Sequence, residues 1–247
     1  MADYLVFTLC ATLAAMGDLA GHERRGTLTW PGRSAVLGLV AAALGIRRED
    51  QAGLTRLDAL RVAVGVIDDG TPLRDYHTVQ TIPSAAIRQP DSRPAAMAAA
   101  GRNINSVITL RDYRVGVVYP VALWGASFDG LAEALRRPVF TLYLGRKSCP
   151  LSAPPHPHEV EAANPMAALK QAGQPPFRPA GRIRFVASDE RITPEDVIDS
   201  RNDVALDRGG WHFTSRQVYI HRPVEPPAAS EGGSLGVAGG DLEGDTA

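Results

Sequence analysis

Lysine is nearly missing from this chain. Of its 26 basic residues only Lys147 and Lys170 are lysines, which leaves 24 arginines. Arginine carries the planar fork suited to phosphates and to stacking on bases, although genomic base composition accounts for the same bias. Cysteine is scarce as well: Cys10 and Cys149 cannot build a disulfide framework, and neither sits in a CxxC pair, so a reduced, cytoplasmic protein is expected. The apolar start Tyr4 to Ala15 follows Asp3, has no basic segment before it and is too short to span a bilayer. It reads as a buried first strand, with no targeting or membrane segment. Neither GxxxxGK[ST] nor GxGxxG occurs where a nucleotide loop would need it, and no G-x-S-x-G elbow or HExxH helix is found. The aromatic signature of the common RNA-recognition domain is also missing, so base stacking on an open sheet is not assumed.

What is present suffices for a folded body. The 247 residues are 45% apolar, enough for one large or two small domains, and a mostly disordered or fibrous chain is excluded. The net charge of -1 hides an asymmetry. From Pro223 onward Glu225, Glu231, Asp241, Glu243 and Asp245 stand without a base, so residues 1 to 222 carry 26 basic against 22 acidic side chains, a net of +4. The tail 223–247, rich in Pro, Gly and Ala with no apolar period, is expected to be disordered and acidic.

Residues 4–10 (YLVFTLC) are almost wholly apolar, as in a central strand. A helix is expected from a Ser34 cap through Val36, Leu37, Leu39, Val40 and Leu44 to Gly45. Arg61–Ile67 alternates as a strand, and Val115–Trp124 reads as a longer one interrupted at Pro120. A second helix is expected from a Ser127 cap, stopping by Pro138, and a third begins at Asn164-Pro165 with Gly173 past its end. Further strands are expected at Val139–Leu144, Ile183–Ala187 and Trp211–His221. The order of elements suggests an α+β fold with a ferredoxin-like βαββαβ core. Between strands lies an excursion, Leu73–Arg114, holding Arg74, Arg88, Arg93, Arg102, Arg111 and Arg114 against three aspartates. A segment this long inside a compact domain is usually functional or disordered, and it reads as a projecting basic arm.

Several groups of residues carry candidate chemistry. Arg74, Tyr76, His77 and Thr78 put a guanidinium, a phenol, an imidazole and a hydroxyl within five positions. They could bind phosphate and stack a base, supply acid and base for RNA cleavage, or make only local loop hydrogen bonds. In a strand, Tyr76 and His77 would face opposite sides. Tyr143, Gly145, Arg146, Lys147 and Ser148 follow a predicted strand and could form an anion-binding nest. With Arg136 and Arg137 the window 136–147 has four bases and no acid, which is also what a solvated charge cluster looks like. Arg201 and Arg216 could line a groove for a phosphate backbone or be ordinary exposed strand residues. His156, His158, Glu159 and Glu161 have ligand chemistry, but their flanking prolines suggest a surface loop, so no metal site and no cofactor is expected. Cys149, beside basic residues, is the one thiol placed for nucleophilic chemistry, although a buried structural cysteine is the commoner case.

Taken together, Arg33-Ser34 with LGL and ALGI, then LRDYHTV (73–79), YLGRKSCPL (143–151) and FTSR (213–216) resemble the Cas-five family of CRISPR-associated proteins, in its type I-E Cascade branch within the RAMP superfamily. The matches come in the family's order and cover residues 1–222. The resemblance implies an RRM-like, ferredoxin-like domain whose β-hairpin thumb would be the excursion at about 73–114. It also implies a non-catalytic subunit that holds the 5′ handle of the crRNA and caps the guide-RNA filament for antiviral DNA interference. In Thr109-Leu110-Arg111-Asp112-Tyr113 it makes Arg111 a candidate contact near the boundary of handle and spacer. Arg33, Ser34 and the YLGRKS turn would meet handle phosphates or bases. The implied partners are the Cas-seven backbone subunits, the Cas-eight large subunit and target DNA in the assembled complex, with no membrane. The family's first loop, of GPMQSWG type, is replaced here by ATLAAMG (11–17), which keeps only its last glycine.

A rival from another class is a metal-independent endoribonuclease that processes precursor crRNA, as in the subtype I-C branch. Tyr76, His77 and Lys147 would then be acid, base and charge stabiliser.

Overall fold

A computed structural model describes residues 1–20, 23–83, 91–207, 210 and 212–223. Arg88 and the acidic tail beyond Pro223 lie outside the described residues.

The first strand, β1 (Ala2–Ala14), is buried without interruption from Tyr4 to Ala11. The reason is that the sheet carries a core on each face. On one face Phe7, Leu9, Tyr119, Val121 and Leu123 pack with Val36, Leu37 and Val40 of α1 (Arg33–Leu44). On the other, Tyr4, Val6, Trp124 and Val186 pack with Met166 and Leu169 of the short helix α5 (Pro165–Leu169). An apolar run with no polar alternation is what two covered faces require.

Helix α1 begins one residue before the expected cap. Gly32 holds the N-cap position, and the Arg33 backbone N–H donates to Asp203 Oδ2 at 2.7 Å, so a carboxylate from a distant strand does the work assigned to Ser34. Gly45 closes the helix in the left-handed region, as expected. A second helix, α2 (Gln51–Asp58), escaped the sequence reading; it leads into β4 (Arg61–Val66). Helix α4 (Leu131–Arg136) is capped by Gly130 rather than Ser127, whose hydroxyl bonds Asp129 instead.

Strand β6 (Asn105–Trp124) is continuous for 20 residues. Pro120 does not interrupt it. The proline lies opposite Thr8 of β1, and its ring has room because the facing strand offers Gly65, where a Cβ would sit 2.9 Å from Pro120 Cγ. The N-terminal half of β6 pairs from Asn105 to Val115 with β5 (Thr71–Thr81), which is exposed along nearly all its length. The basic excursion is therefore a long antiparallel hairpin, with α3 (Arg93–Ala100) in its connection.

Val139–Leu144 is not a strand. It crosses the end of α1, with Val139 N and Phe140 N donating to Ala43 and Ala42 carbonyls, and its alternation reflects Leu142 and Leu144 buried under the helix. The missed strands are β2 (Gly17–Ala20), β3 (Arg24–Thr27), β7 (His158–Ala162) and β9 (Val197–Asp207); β8 (Phe185–Ser188) and β10 (His212–His221) match expectation closely. The sheet runs β2-β3-β6-β4-β8-β10-β9, and β1 pairs antiparallel with β6 and with β7. The architecture is a mixed α/β fold on one large, mainly antiparallel sheet. No described helix is long and apolar enough to cross a membrane.

Candidate nucleic-acid interface

The base of the β5–β6 hairpin is where basic residues from four chain segments meet. Strand β3 runs parallel to β6 with Arg24 beside Leu110 and Arg25 beside Arg111. Across the antiparallel pair, Arg74 lies opposite Asp112, Asp75 opposite Arg111, Tyr76 opposite Leu110 and His77 opposite Thr109. Opposed residues share a face. Arg74 and Tyr76 therefore share the face of Asp112, whereas His77 points to the side of Arg111. The hairpin splits the RDYHTV cluster, as strand alternation demands.

Asp112 is the organiser of the first face. Its carboxylate accepts from Arg74 Nε at 2.7 Å and from Arg24 Nε and Nη2 at 3.0 and 2.8 Å. The hydrogen bond from Arg74 leads in holding its pKa down to about 2, with Arg24 adding to the pull against burial. One carboxylate thus fixes two guanidinium groups whose outer edges stay in solvent, with 61% of the Arg24 and 42% of the Arg74 side chain exposed.

The YLGRKS turn completes the arrangement. Leu144 N donates to Cys149 O and Cys149 N to Arg146 O, each at 2.8 Å, and the Ala15 N–H bonds Leu144 O at 3.0 Å. Gly145 has φ +83°, and a Cβ there would lie 1.8 Å from the Ala15 carbonyl oxygen, so only glycine permits this contact. The turn delivers Arg146 over Tyr113, its guanidinium carbon 4.5 Å from the ring centroid, and its Nη1 and Nη2 also reach the Asp112 and Arg25 carbonyls. Tyr143, Lys147 and Ser148 are exposed beside it. Cys149 is buried, and desolvation raises its pKa. Its role is to anchor the turn, and the nucleophile reading is not supported.

Arg111 adds a different signal. Its Nε is buried with no hydrogen-bond partner, a state that native proteins rarely leave unanswered. Arg25 and the Tyr113–Arg146 pair share its face, with Asp75 the carboxylate directly opposite, while Arg24 and Arg74 stand with Asp112 on the other face. The result is a local positive excess on an exposed hairpin base.

Other predicted residues lie elsewhere. Arg33 and Arg216 are largely buried and turned inward: Arg33 donates to the Asp58 and Leu60 carbonyls and pairs with Asp189, while Arg216 takes Asp203 bidentately and Asp189 at 2.7 Å. Burial pushes the Asp189 carboxyl up against the pull of Arg216 and Arg33. Ser34 is half-buried in the first turn of α1 and makes no cap bond. Arg201 lies 4.3 Å over Trp30. Lys147 is joined to neither Tyr76 nor His77 by a hydrogen bond among the described residues. Both ring nitrogens of His158 sit on carbonyls, of His156 and Gln171, and no cluster of three metal-ligating side chains occurs among the described residues.

Sequence reasoning passed over Arg24, Arg25, Tyr113 and Trp30. For the first two the signal was an Arg-Arg pair before Gly26; for Tyr113 it was the alternation with Arg111 along one strand face. Trp30 had no signal beyond being an aromatic in a turn.

Comparison with known proteins adds the context. A family model described as CRISPR-associated protein (Cas_Cas5) matches residues 4–219. The chain is 30% identical over 234 residues, 89% of its length and 96% of the relative's, to the CRISPR system Cascade subunit CasD of Escherichia coli (strain K12). Among solved structures, a chain of a CRISPR RNA-guided surveillance complex aligns with a TM-score of 0.64 at 25% identity, covering 89% of each chain. The crystal structure of a Cas protein aligns at 0.54 and 24% identity, covering 89% of this chain and 94% of that one.

Proposed function

The chain belongs to the Cas5 family of CRISPR-associated proteins, and from that premise we propose that it is a non-catalytic, cytoplasmic subunit of a Cascade surveillance complex that grips the 5′ handle of the crRNA. The observation that carries this reading is the clustering of arginines at the base of the β5–β6 hairpin, with Arg24 and Arg74 on the Asp112 face and Arg25, Arg111 and Arg146 on the other. These groups hold the phosphates and fix the position of the guide, while base pairing reads the target.

The same reading makes the hairpin a thumb and the body a ferredoxin-like domain over 1–222, with 223–247 an acidic appendage. In support, β7-β1-β6-β4 form an antiparallel order with α1 between β1 and β4 and α4 between β6 and β7, and the family match stops at residue 219. Cas-seven backbone and Cas-eight large subunits would flank the protein, with target DNA in the assembled complex. Tyr143, Gly145, Lys147, Ser148, Tyr76 and Thr78 line the approach to the guide. Arg33, Ser34 and Arg216 act by holding α1 to β9 and β10 rather than by touching RNA.

The endoribonuclease alternative asks Tyr76 and His77 to work on one phosphate, and their opposite faces weigh against it. The deciding experiment incubates the full chain, alone and with its neighbouring subunits, with repeat-containing precursor and mature guide RNA over a salt series. Retention without cleavage is expected, with Arg111→Ala and Arg146→Ala each weakening binding roughly tenfold while the fold is kept. Unchanged affinity in both variants overturns the site; cleavage by the lone protein, abolished in His77→Ala, overturns the non-catalytic reading.

A further inference from the structure

Among the described residues, two buried side-chain polar atoms have no partner: Nε of Arg111 and Nε of Arg201. The first belongs to the hairpin base. The second sits on β9, in a separate assembly of arginine and aromatic groups. The Arg201 guanidinium carbon lies 4.3 Å over Trp30, Trp30 meets Phe185 edge-on with centroids 5.5 Å apart at 81°, and Arg222 lies 5.6 Å over Phe185.

The charge arrangement there is incomplete. Arg201 stands directly opposite Arg216 across the β9–β10 pair, and like charges at such a position repel. Arg216 is neutralised by Asp189 and Asp203, whose side chains are 13% and 11% exposed. Among the described residues Arg201 pairs with Asp199 alone, at 2.9 Å and 42% exposed, where solvent screens the pair. Arg222 is exposed and closes the other end of the row. A guanidinium seated over a ring keeps N–H donors free for a further acceptor, and among the described residues Arg222 has no carboxylate partner while Arg201 has the screened Asp199.

We infer that Arg201 and Arg222, seated on Trp30 and Phe185, form a second station for the phosphodiester backbone of single-stranded RNA, apart from the hairpin base. This rests on the proposed guide-RNA function. The two stations share no residue, but one strand ties them together: Tyr119 of β6 donates its hydroxyl proton to Thr29 O at 2.8 Å, fixing the loop that carries Trp30. Arg111 is eight residues away on that strand, roughly 26 Å. A guide held at both points is fixed in direction as well as in position.

The test measures affinity of the full chain for a repeat-containing guide RNA across a salt series, and maps ultraviolet crosslinks to peptides. Arg222→Gln is the primary variant because that residue is exposed and its loss does not threaten folding. Arg201→Gln and Arg201→Lys are checked by thermal melting. Each Gln variant is expected to flatten the plot of log affinity against log salt by about 0.7, Arg201→Lys to keep the wild-type slope, and residues 26–33 to crosslink through Trp30. Wild-type slopes in both Gln variants, with Arg111→Ala still lowering the slope, overturn the second station and leave the proposed function standing. If the wild-type chain, alone and with its neighbouring subunits, retains no guide RNA, both fall.

Discussion

Replacing Gly145 by alanine isolates the contact that shapes the YLGRKS turn, and Gly130 supplies its control. Both glycines sit in the left-handed region, at φ +83° and +76°. The backbone penalty of an L-residue there is common to both, about 1–2 kcal/mol. The surroundings differ: at Gly130 a Cβ meets nothing within 4 Å, whereas at Gly145 it would lie 1.8 Å from Ala15 O and 2.7 Å from Ala15 C, both backbone atoms. The turn must therefore move away from the end of β1, breaking the Ala15 N–H bond to Leu144 O, worth about 1 kcal/mol, and unseating buried Leu144. Gly145→Ala is expected to cost about 2–4 kcal/mol in total, against about 1–2 for Gly130→Ala. At roughly 2–4 °C per kcal/mol for a chain of this size, the two melting temperatures should differ by several degrees. Because the same turn seats Arg146 on Tyr113, only Gly145→Ala should also weaken guide-RNA binding. Equal melting temperatures and equal RNA affinities for the two variants would refute the claim that Ala15 packing, rather than backbone conformation alone, requires this glycine.

Asp112→Asn should remove a pH dependence: a carboxyl held down to about 2 contributes stability that is complete above about pH 4 and lost as pH falls toward 2. Screening at the exposed Arg24 and Arg74 limits that contribution to about 1 kcal/mol, so acid unfolding of the variant should be flatter over that window, and superimposable curves would contradict the clamp. Asp203→Ala should cost about 2–3 kcal/mol in urea unfolding, because it removes the bidentate partner of the largely buried Arg216, which keeps Asp189, and uncaps the Arg33 N–H; a loss below about 1 kcal/mol would show that the network is dispensable.

The parts of this fold that were legible in the sequence depend on local physics. Helix α1 showed through its apolar spacing and Gly45, and α5 through Asn164-Pro165, whose side-chain cap accepts from Ala167 N. The misreadings share one cause, a distant partner replacing a local one. Asp203 caps α1 from 170 residues away, Gly65 makes room for Pro120 inside a central strand, and α1 covers Leu142 and Leu144 so that a coil alternates like a strand. The site divides the same way. The hairpin base was visible as a run of basic residues, but its register with β3, and therefore Arg24 and Arg25, follows from a parallel pairing that no spacing announces.

Arginine abundance alone does not distinguish one role from another, whereas the hydrogen-bond geometry separates arginines paired within the fold from those that keep donors to spare. Arg114 and Arg178 spend their donors on Asp69, Asp68 and nearby carbonyls around the Asp68–Gly70 turn, and Arg33 and Arg216 do so around Asp189 and Asp203. These groups lock the sheet to its connections. Arg111, Arg146 and Arg201 are different: among the described residues Arg111 and Arg201 each keep a buried Nε without a partner, and Arg146 lies over Tyr113 with only long bonds to carbonyls. Removing a member of the first group takes several hydrogen bonds and a counter-charge from an internal network, so stability falls first. Removing a member of the second relieves an unmet donor, so stability should hold while affinity for a polyanion drops. The ratio of lost stability to lost affinity, residue by residue, is therefore the quantity that sorts the 24 arginines into scaffold and interface.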